Sequence, residues 1–197
     1  MPIARATPLF LILAACVEHA PADASRVTIA AWNAERVFDA VCDSGRCGPS
    51  EAEDLPDASA AQADAVRVGR AVRALDADIV VLSEIENEAV AHRIADAAAT
   101  YETVRIGESG PGTIDVAVLS RFAVLEWRTH RPYLGLDDPE VRSTRVFIEV
   151  HLDAGARRVI VIGAHFKSRL RDDPSRRLAE ARAVAELARA AAARHPG

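Results

Sequence analysis

Apolar residues in this chain fall into two kinds of run. One kind is short and rich in β-branched residues: Val27-Thr28-Ile29-Ala30-Ala31-Trp32, Asp78-Ile79-Val80-Val81-Leu82-Ser83 and Val159-Ile160-Val161-Ile162-Gly163-Ala164. Runs of that length and composition predict strands, at 26–33, 78–84 and 157–164. Alternation predicts two more. Thr113 to Ser120 puts Ile114, Val116 and Val118 on one face, and Arg145 to Leu152 does the same with Val146, Ile148 and Val150. Ala123 to Trp127 is a further strand after a turn at Ser120-Arg121, and Asp153-Ala154-Gly155 is a hairpin turn. The second kind of run has helical spacing. Ala65, Val68, Val72 and Leu75 predict a helix over 61–75, and Val90 and Ile94 one over 86–100. A last helix opens on Asp173-Pro174 and turns Leu178, Ala181, Val184, Leu187 and Ala191 inward. Residues 43–60 and 128–142 carry Gly, Pro and polar residues and read as loops. Hairpin-joined strands mixed with strand–helix–strand units predict an α/β chain with a mixed sheet and helices on one face.

The three most apolar strands end on chemistry-capable residues. The first runs into Asn33 and Glu35, the second into Glu84, and the third into His165, Lys167 and Ser168. Ligands of α/β folds bind at the carboxyl ends of strands. Placed in one sheet, these ends bring together an amide, two carboxylates, an imidazole and an ammonium, a set suited to a divalent metal and a phosphoryl group. Taken singly, each has a plainer role: Asn33 as a turn cap, Glu35 and Glu84 as solvated carboxylates, His165 as a structural histidine.

Composition changes this picture little. Of the 197 residues, 50% are hydrophobic and 27% charged, enough for one domain with a core. The net charge of −5 excludes a broadly basic surface that coats nucleic acid, although a bound metal can supply positive charge locally. Lys167 is the only lysine among the 24 Lys and Arg residues. Arg5, the apolar stretch Leu9 to Leu13, and Leu13-Ala14-Ala15-Cys16 read as an export signal with a lipobox-like end. The expected organisation is a lipoprotein-type signal peptide at 1–15, a linker at 16–25 beginning with a lipidated Cys16, and a domain from 26 to 197. That places the protein in the bacterial cell envelope, at the outer membrane or outside the cell, held to the membrane through a lipid anchor. In an exported chain the close pair Cys42 and Cys47 reads as a disulfide closing a small loop, with a metal knuckle as the poorer rival.

Five segments, in order, resemble the endonuclease/exonuclease/phosphatase superfamily, in its extracellular-nuclease-like branch. Ala30-Ala31-Trp32-Asn33-Ala34-Glu35-Arg36-Val37-Phe38-Asp39 resembles its opening motif, and Ala77-Asp78-Ile79-Val80-Val81-Leu82-Ser83-Glu84-Ile85-Glu86-Asn87 its metal-ligand segment. Thr113 to Arg121 is similar to the strand G-I-D-V-A-L-L-S-R, Val161 to Ser168 to V-x-N-H-F-K-S, and Arg177 to Ala181 to R-x-x-Q-A. The resemblance implies a DNase I-like four-layer α/β sandwich, of which this chain is a truncated, mixed-sheet half. It implies a Mg²⁺ or Mn²⁺ ion held mainly by Glu84 with Glu35 nearby, Asn33 orienting phosphate or water, and His165 bonding a phosphoryl oxygen or moving a proton. Lys167, Ser168 and Arg145 would contact phosphate.

Arg36, Ser83 and Ala164 stand where Asn, Gln and Asn are common in the family. Segments matching the family's later G-D-F-N and S-D-H do not occur among the 197 residues. The expectation is therefore a metal-dependent phosphodiester hydrolase acting on nucleic acid or another phosphodiester, inactive as this fragment, with an apolar sheet face left uncovered. The alternatives are a non-catalytic envelope binding module, or a phosphatase- or sphingomyelinase-like hydrolase.

Overall fold

A computed structural model describes residues 26–169 and 173–195. The leader, with the lipidation expectation at Cys16, lies outside the described residues. Seven strands and three helices follow in the order β1 (Ile29–Val37), α1 (Ala58–Leu75), β2 (Ile79–Ile85), α2 (Glu88–Ala98), β3 (Thr103–Gly107), β4 (Asp115–Ser120), β5 (Ala123–His130), β6 (Phe147–Asp153), β7 (Arg158–Gly163) and α3 (Pro174–Arg194).

The strands form two sheets. The first has the order β1-β2-β4-β3, with β1 and β2 parallel and the other pairs antiparallel. The second, β5-β6-β7, is antiparallel throughout. Two helices cover the outer face of the first sheet: Val68 and Val72 of α1 and Val90 and Ile94 of α2 pack on Val80, Leu82, Ala117 and Leu119. The inner faces meet through Ile79, Val116 and Val118 on one side and Ile148, Val150, Leu152 and Val161 on the other. On the outer face of the second sheet, Ala179 and Ala183 of α3 meet Phe147. The result is a four-layer α/β sandwich, the DNase I-like fold class expected from sequence. Strand β4 lies between two apolar layers, which is why it is buried along its whole length.

Each helix starts where a side chain satisfies the first unpaired amides. Asp57 accepts from Ser59 N and Ala60 N, Asn87 from Val90 N, and Asp173 from Arg176 N. Between α1 and α2, a Cβ on Gly69 would come within 2.6 Å of Ala97 Cβ and of the Ile94 carbonyl, so only glycine permits this helix spacing.

Four expectations are corrected. The strand leading to His165 is not in the sheet of the other two; its partner is β6, because the Asp153-Ala154-Gly155 hairpin pairs β7 with the strand just before it. The inner face of the first sheet is not left bare, because β5–β7 already supply a second apolar layer. In α3 the buried stripe is Ala179, Glu180, Ala183 and Ala191, while Leu178 is 52% exposed and Ala181 also faces solvent. The carboxylate of Glu180 turns the helix this way, accepting from the backbone N–H of Thr144 at 3.0 Å and of Lys167 at 2.7 Å. Finally, the five-residue β3 was not expected; Thr103-Val104-Arg105-Ile106-Gly107 is too short to show a period. Cys42 and Cys47 are joined in a disulfide, and the loop they close is held from inside by Glu53, whose carboxylate accepts from Asp43 N and Ser44 N.

Candidate active site

The parallel strands β1 and β2 carry the site at their carboxyl ends, where both lose regular pairing. Asn33 pairs with Ser83 and the next partners are Val37 and Ile85, so three residues of β1 face one of β2. Against β4, Ser83 pairs with Val116 and Ile85 with Asp115, leaving Glu84 as an unmatched residue. Such bulges re-aim side chains that a flat strand would send into the core. Their backbone is strained: Glu35, Arg36 and Glu84 all have positive φ, at 63°, 60° and 66°. Left-handed geometry costs a residue with a Cβ about 1–3 kcal/mol and persists where the surroundings enforce it. Here Asn33 enforces part of it, its Oδ1 accepting from Glu35 N at 2.9 Å.

The other face of the Asn33 amide donates from Nδ2 to Glu84 Oε1 at 2.8 Å. His165 reaches the same oxygen from the second sheet, with Nε2 at 3.7 Å, too long for a direct hydrogen bond. Gly163 makes this approach possible. A Cβ there would meet Val116 Cγ1 at 2.8 Å and Ile148 Cγ2 at 3.0 Å, so the end of β7 can lie against β4 only without a side chain. The His165 ring is largely buried, its Nδ1 has no hydrogen-bond partner, and burial followed by the charge of Arg145 lowers its pKa below the usual imidazole value. It is therefore neutral near pH 7.

Arg145 forms a wall of the site. Its Nε donates to the Ile114 carbonyl at 2.9 Å, and burial pulls its pKa down against the opposing charges of Asp115, Glu84 and Glu180. An open cleft of about 240 Å³, lined by Arg36, Thr113, Ile114, Thr144 and Arg145, runs beside it. A larger cavity of about 630 Å³ lies nearby, but its walls include Asp43, Glu86, Glu88 and Glu108. Carboxylates repel an anionic ligand, so the smaller cleft is the one suited to phosphate. Glu86 in the larger cavity is pushed up to about 7, chiefly by burial.

The structure thus brings together Asn33, Glu84, His165 and Arg145. It brings in Glu35 by its backbone, while the Glu35 side chain is exposed. Lys167 and Ser168 follow His165, but the Lys167 ammonium donates back to Ser168 O at 3.2 Å. Two supporting residues lie outside the set expected from sequence. Asp115 is fully buried and accepts from Ser109 N and Oγ and from Thr113 Oγ1, fixing the loop before β4. Glu180 ties Thr144, beside Arg145, to Lys167, two residues after His165. An aspartate opening an otherwise apolar strand was a readable signal for the first, and for the second the signal was the position of Glu180 at the Q of the segment that resembles R-x-x-Q-A.

Layer order and the strand-end grouping of an amide, a carboxylate and an imidazole define a four-layer α/β sandwich with a polar site at its strand ends. The sequence matches the Endonuclease/Exonuclease/phosphatase family over residues 30–197, and the chain belongs to that family. No curated protein matches it by sequence. Among solved structures, TDP2 from Caenorhabditis elegans is similar, with a TM-score of 0.55 and 18% identity over 72% of this chain and 40% of that one. A truncated form of the same protein gives 0.54 and 18% over 69% and 51%. Sphingomyelinase C from Streptomyces griseocarneus gives 0.43 and 21% over 71% and 48%. The chain spans about 40–51% of the length of the two TDP2 structures.

Proposed function

We propose that this chain carries the metal-binding part of a Mg²⁺- or Mn²⁺-dependent phosphodiester hydrolase. The observation that carries the reading is the Glu84 carboxylate, raised on a strained bulge, steered by Asn33 and faced by a neutral, under-partnered His165. Family membership supports it, since these enzymes generally use divalent metals.

The donor set fits a hard cation: a partly exposed carboxylate with a neutral amide beside it. Glu84 would hold the ion, with Glu35 able to turn toward it. When bound, the ion neutralises charge on the phosphate and lowers the pKa of a coordinated water. Asn33 orients Glu84 and can donate to a phosphate oxygen. Neutral His165 donates from one ring nitrogen to a phosphoryl oxygen or accepts a proton from the attacking water. Arg145 draws the anionic group into its cleft.

Segments resembling G-D-F-N and S-D-H are absent from the 197 residues, so we assign little turnover to this span alone. The activity is expected of a polypeptide in which these residues are joined to a segment carrying those motifs. Its substrate is a nucleic acid or another phosphodiester, and export to the cell envelope through Cys16 belongs to the same reading. The test is hydrolysis of bis(p-nitrophenyl) phosphate and of DNA by the joined polypeptide, with and without chelator. Chelator-resistant turnover, or full activity in Glu84→Ala, overturns the assignment.

A further inference from the structure

At the far end of the second sheet, away from Glu84, three ligand-type atoms converge from three elements. Glu126 on β5 sets Oε1 3.3 Å from Nδ1 of His151 on β6 and 2.9 Å from Nε2 of His195, which closes α3. All three atoms lie within 4.8 Å of one another. Tetrahedral sites with bonds of about 2.0–2.2 Å place neighbouring ligand atoms about 3.3 Å apart.

The His151 ring is fully buried, with Nε2 2.6 Å from Oε1 of the equally buried Glu149 and Nδ1 turned to Glu126. A cation already sits over this triangle, the Arg158 guanidinium. Its Nη1 caps the triangle at 3.1 Å from Glu126 Oε1, 3.5 Å from His151 Nδ1 and 3.1 Å from each His195 ring nitrogen. The Arg158 side chain is 35% exposed and borders an open pocket of about 290 Å³ lined by Arg157, Ile160 and His195, so it has room to swing out of the triangle.

We propose that Glu126, His151 and His195 form a Zn²⁺ site, in which the ion takes the position of the Arg158 Nη1 and a water from the adjoining pocket completes four-coordination. Two imidazoles and one carboxylate select Zn²⁺ over the hard ions suited to Glu84. The Glu149–His151 contact is the outer carboxylate that fixes a ligating imidazole. Arg128 stays engaged, its Nη2 on Glu126 Oε2 at 2.7 Å, so Oε1 alone is given to the metal. The ion would fasten the end of α3 to β5 and β6.

The test uses the full chain with Glu84→Ala, which silences the other site, and Co²⁺ and Zn²⁺ alone as probes. One Co²⁺ per chain should bind with the intense visible bands of a four-coordinate N/O site, be displaced by Zn²⁺, and be unaffected by Mg²⁺. His195→Ala removes a partly exposed side chain and one of the three ligands, and should abolish the bands and weaken Zn²⁺ by more than about 100-fold, since losing even a partner that only orients a ligand costs about 10–100-fold. Arg158→Ala should tighten Zn²⁺ by about tenfold by removing a competing charge. Circular dichroism establishes that both variants are folded. Failure of both the Glu84→Ala chain and its Arg158→Ala derivative to bind Co²⁺ or Zn²⁺ overturns the site, and so does binding that is unchanged by His195→Ala.

Discussion

Two polar clusters, one at the carboxyl ends of β1 and β2 and one on the side of β6 that faces α3, are built on opposite terms. Around Glu84, one carboxylate oxygen receives a single amide hydrogen bond, the imidazole opposite stops at 3.7 Å, and a buried ring nitrogen has no partner. Around Glu149, a buried carboxylate takes contacts from His151 at 2.6 Å, His130 at 2.8 Å and Arg194. Burial alone would raise its pKa, but those hydrogen bonds override it and hold Glu149 at about 2. Strained backbone is found at the first cluster, whereas the strands under the second are in register apart from a shift between Val124 and Glu126. A buried group with unmet bonding capacity costs stability and is kept where a ligand completes it. A saturated network holds structure, and breaking one member leaves the others uncompensated.

The contrast can be broken most sharply at Glu84. Glu84→Ala should take metal-supported turnover of the joined polypeptide to background, a loss of about 10³-fold or more, while its denaturation midpoint moves little. Calorimetric titration with Mn²⁺ should show the binding event gone. His165→Ala should slow hydrolysis by about 10²–10⁴-fold and leave the Mn²⁺ isotherm largely unchanged. Loss of metal binding there would make His165 a ligand instead.

At the saturated cluster the effect should fall on stability. Glu149→Leu strands His151, His130 and Arg194 and should cost about 3–5 kcal/mol in urea unfolding, with residual turnover unaltered per folded molecule. The same carboxylate gives a pH signature. Its pKa is depressed from 4.5 to about 2, so its contribution to stability is complete above about pH 4.5 and is lost as pH falls from there toward 2. Acid titration of the unfolding free energy should show this loss, and it should flatten in Glu149→Gln. The smallest change joins the two regions. Gly163→Ala forces Val116 and Ile148 aside, for about 1–3 kcal/mol of stability. It should reduce turnover more than that stability loss accounts for, because it moves His165 away from Glu84.

Much of this was legible beforehand because it is local. Strand-length apolar runs located β1, β2 and β7, alternation located β4 and β6, a turn signal located β5, and Asp57, Asn87 and Asp173 cap helices by side-chain chemistry that depends on neighbours in sequence. Asn33, Glu84 and His165 stood at strand ends and within family-like segments, so their candidacy needed no coordinates.

Sheet membership was not local. The Asp153-Ala154-Gly155 turn pairs β7 with β6, but whether that hairpin joins the sheet of β1 and β2 or belongs to a second sheet depends on which apolar faces meet, and the turn does not say so. The same blindness hid the facing of α3, where a buried Glu180 answered to amides of Thr144 and Lys167 distant in sequence. The sequence by itself determined the elements apart from β3, the resemblance to the family and the residues able to do chemistry, since these follow from composition and spacing along the chain. Only the tertiary structure decided that the site is closed from two sheets, that a bare Gly163 lets them touch, and that Glu126, His151 and His195 share one point. Those are distances between residues far apart in sequence, and packing sets them.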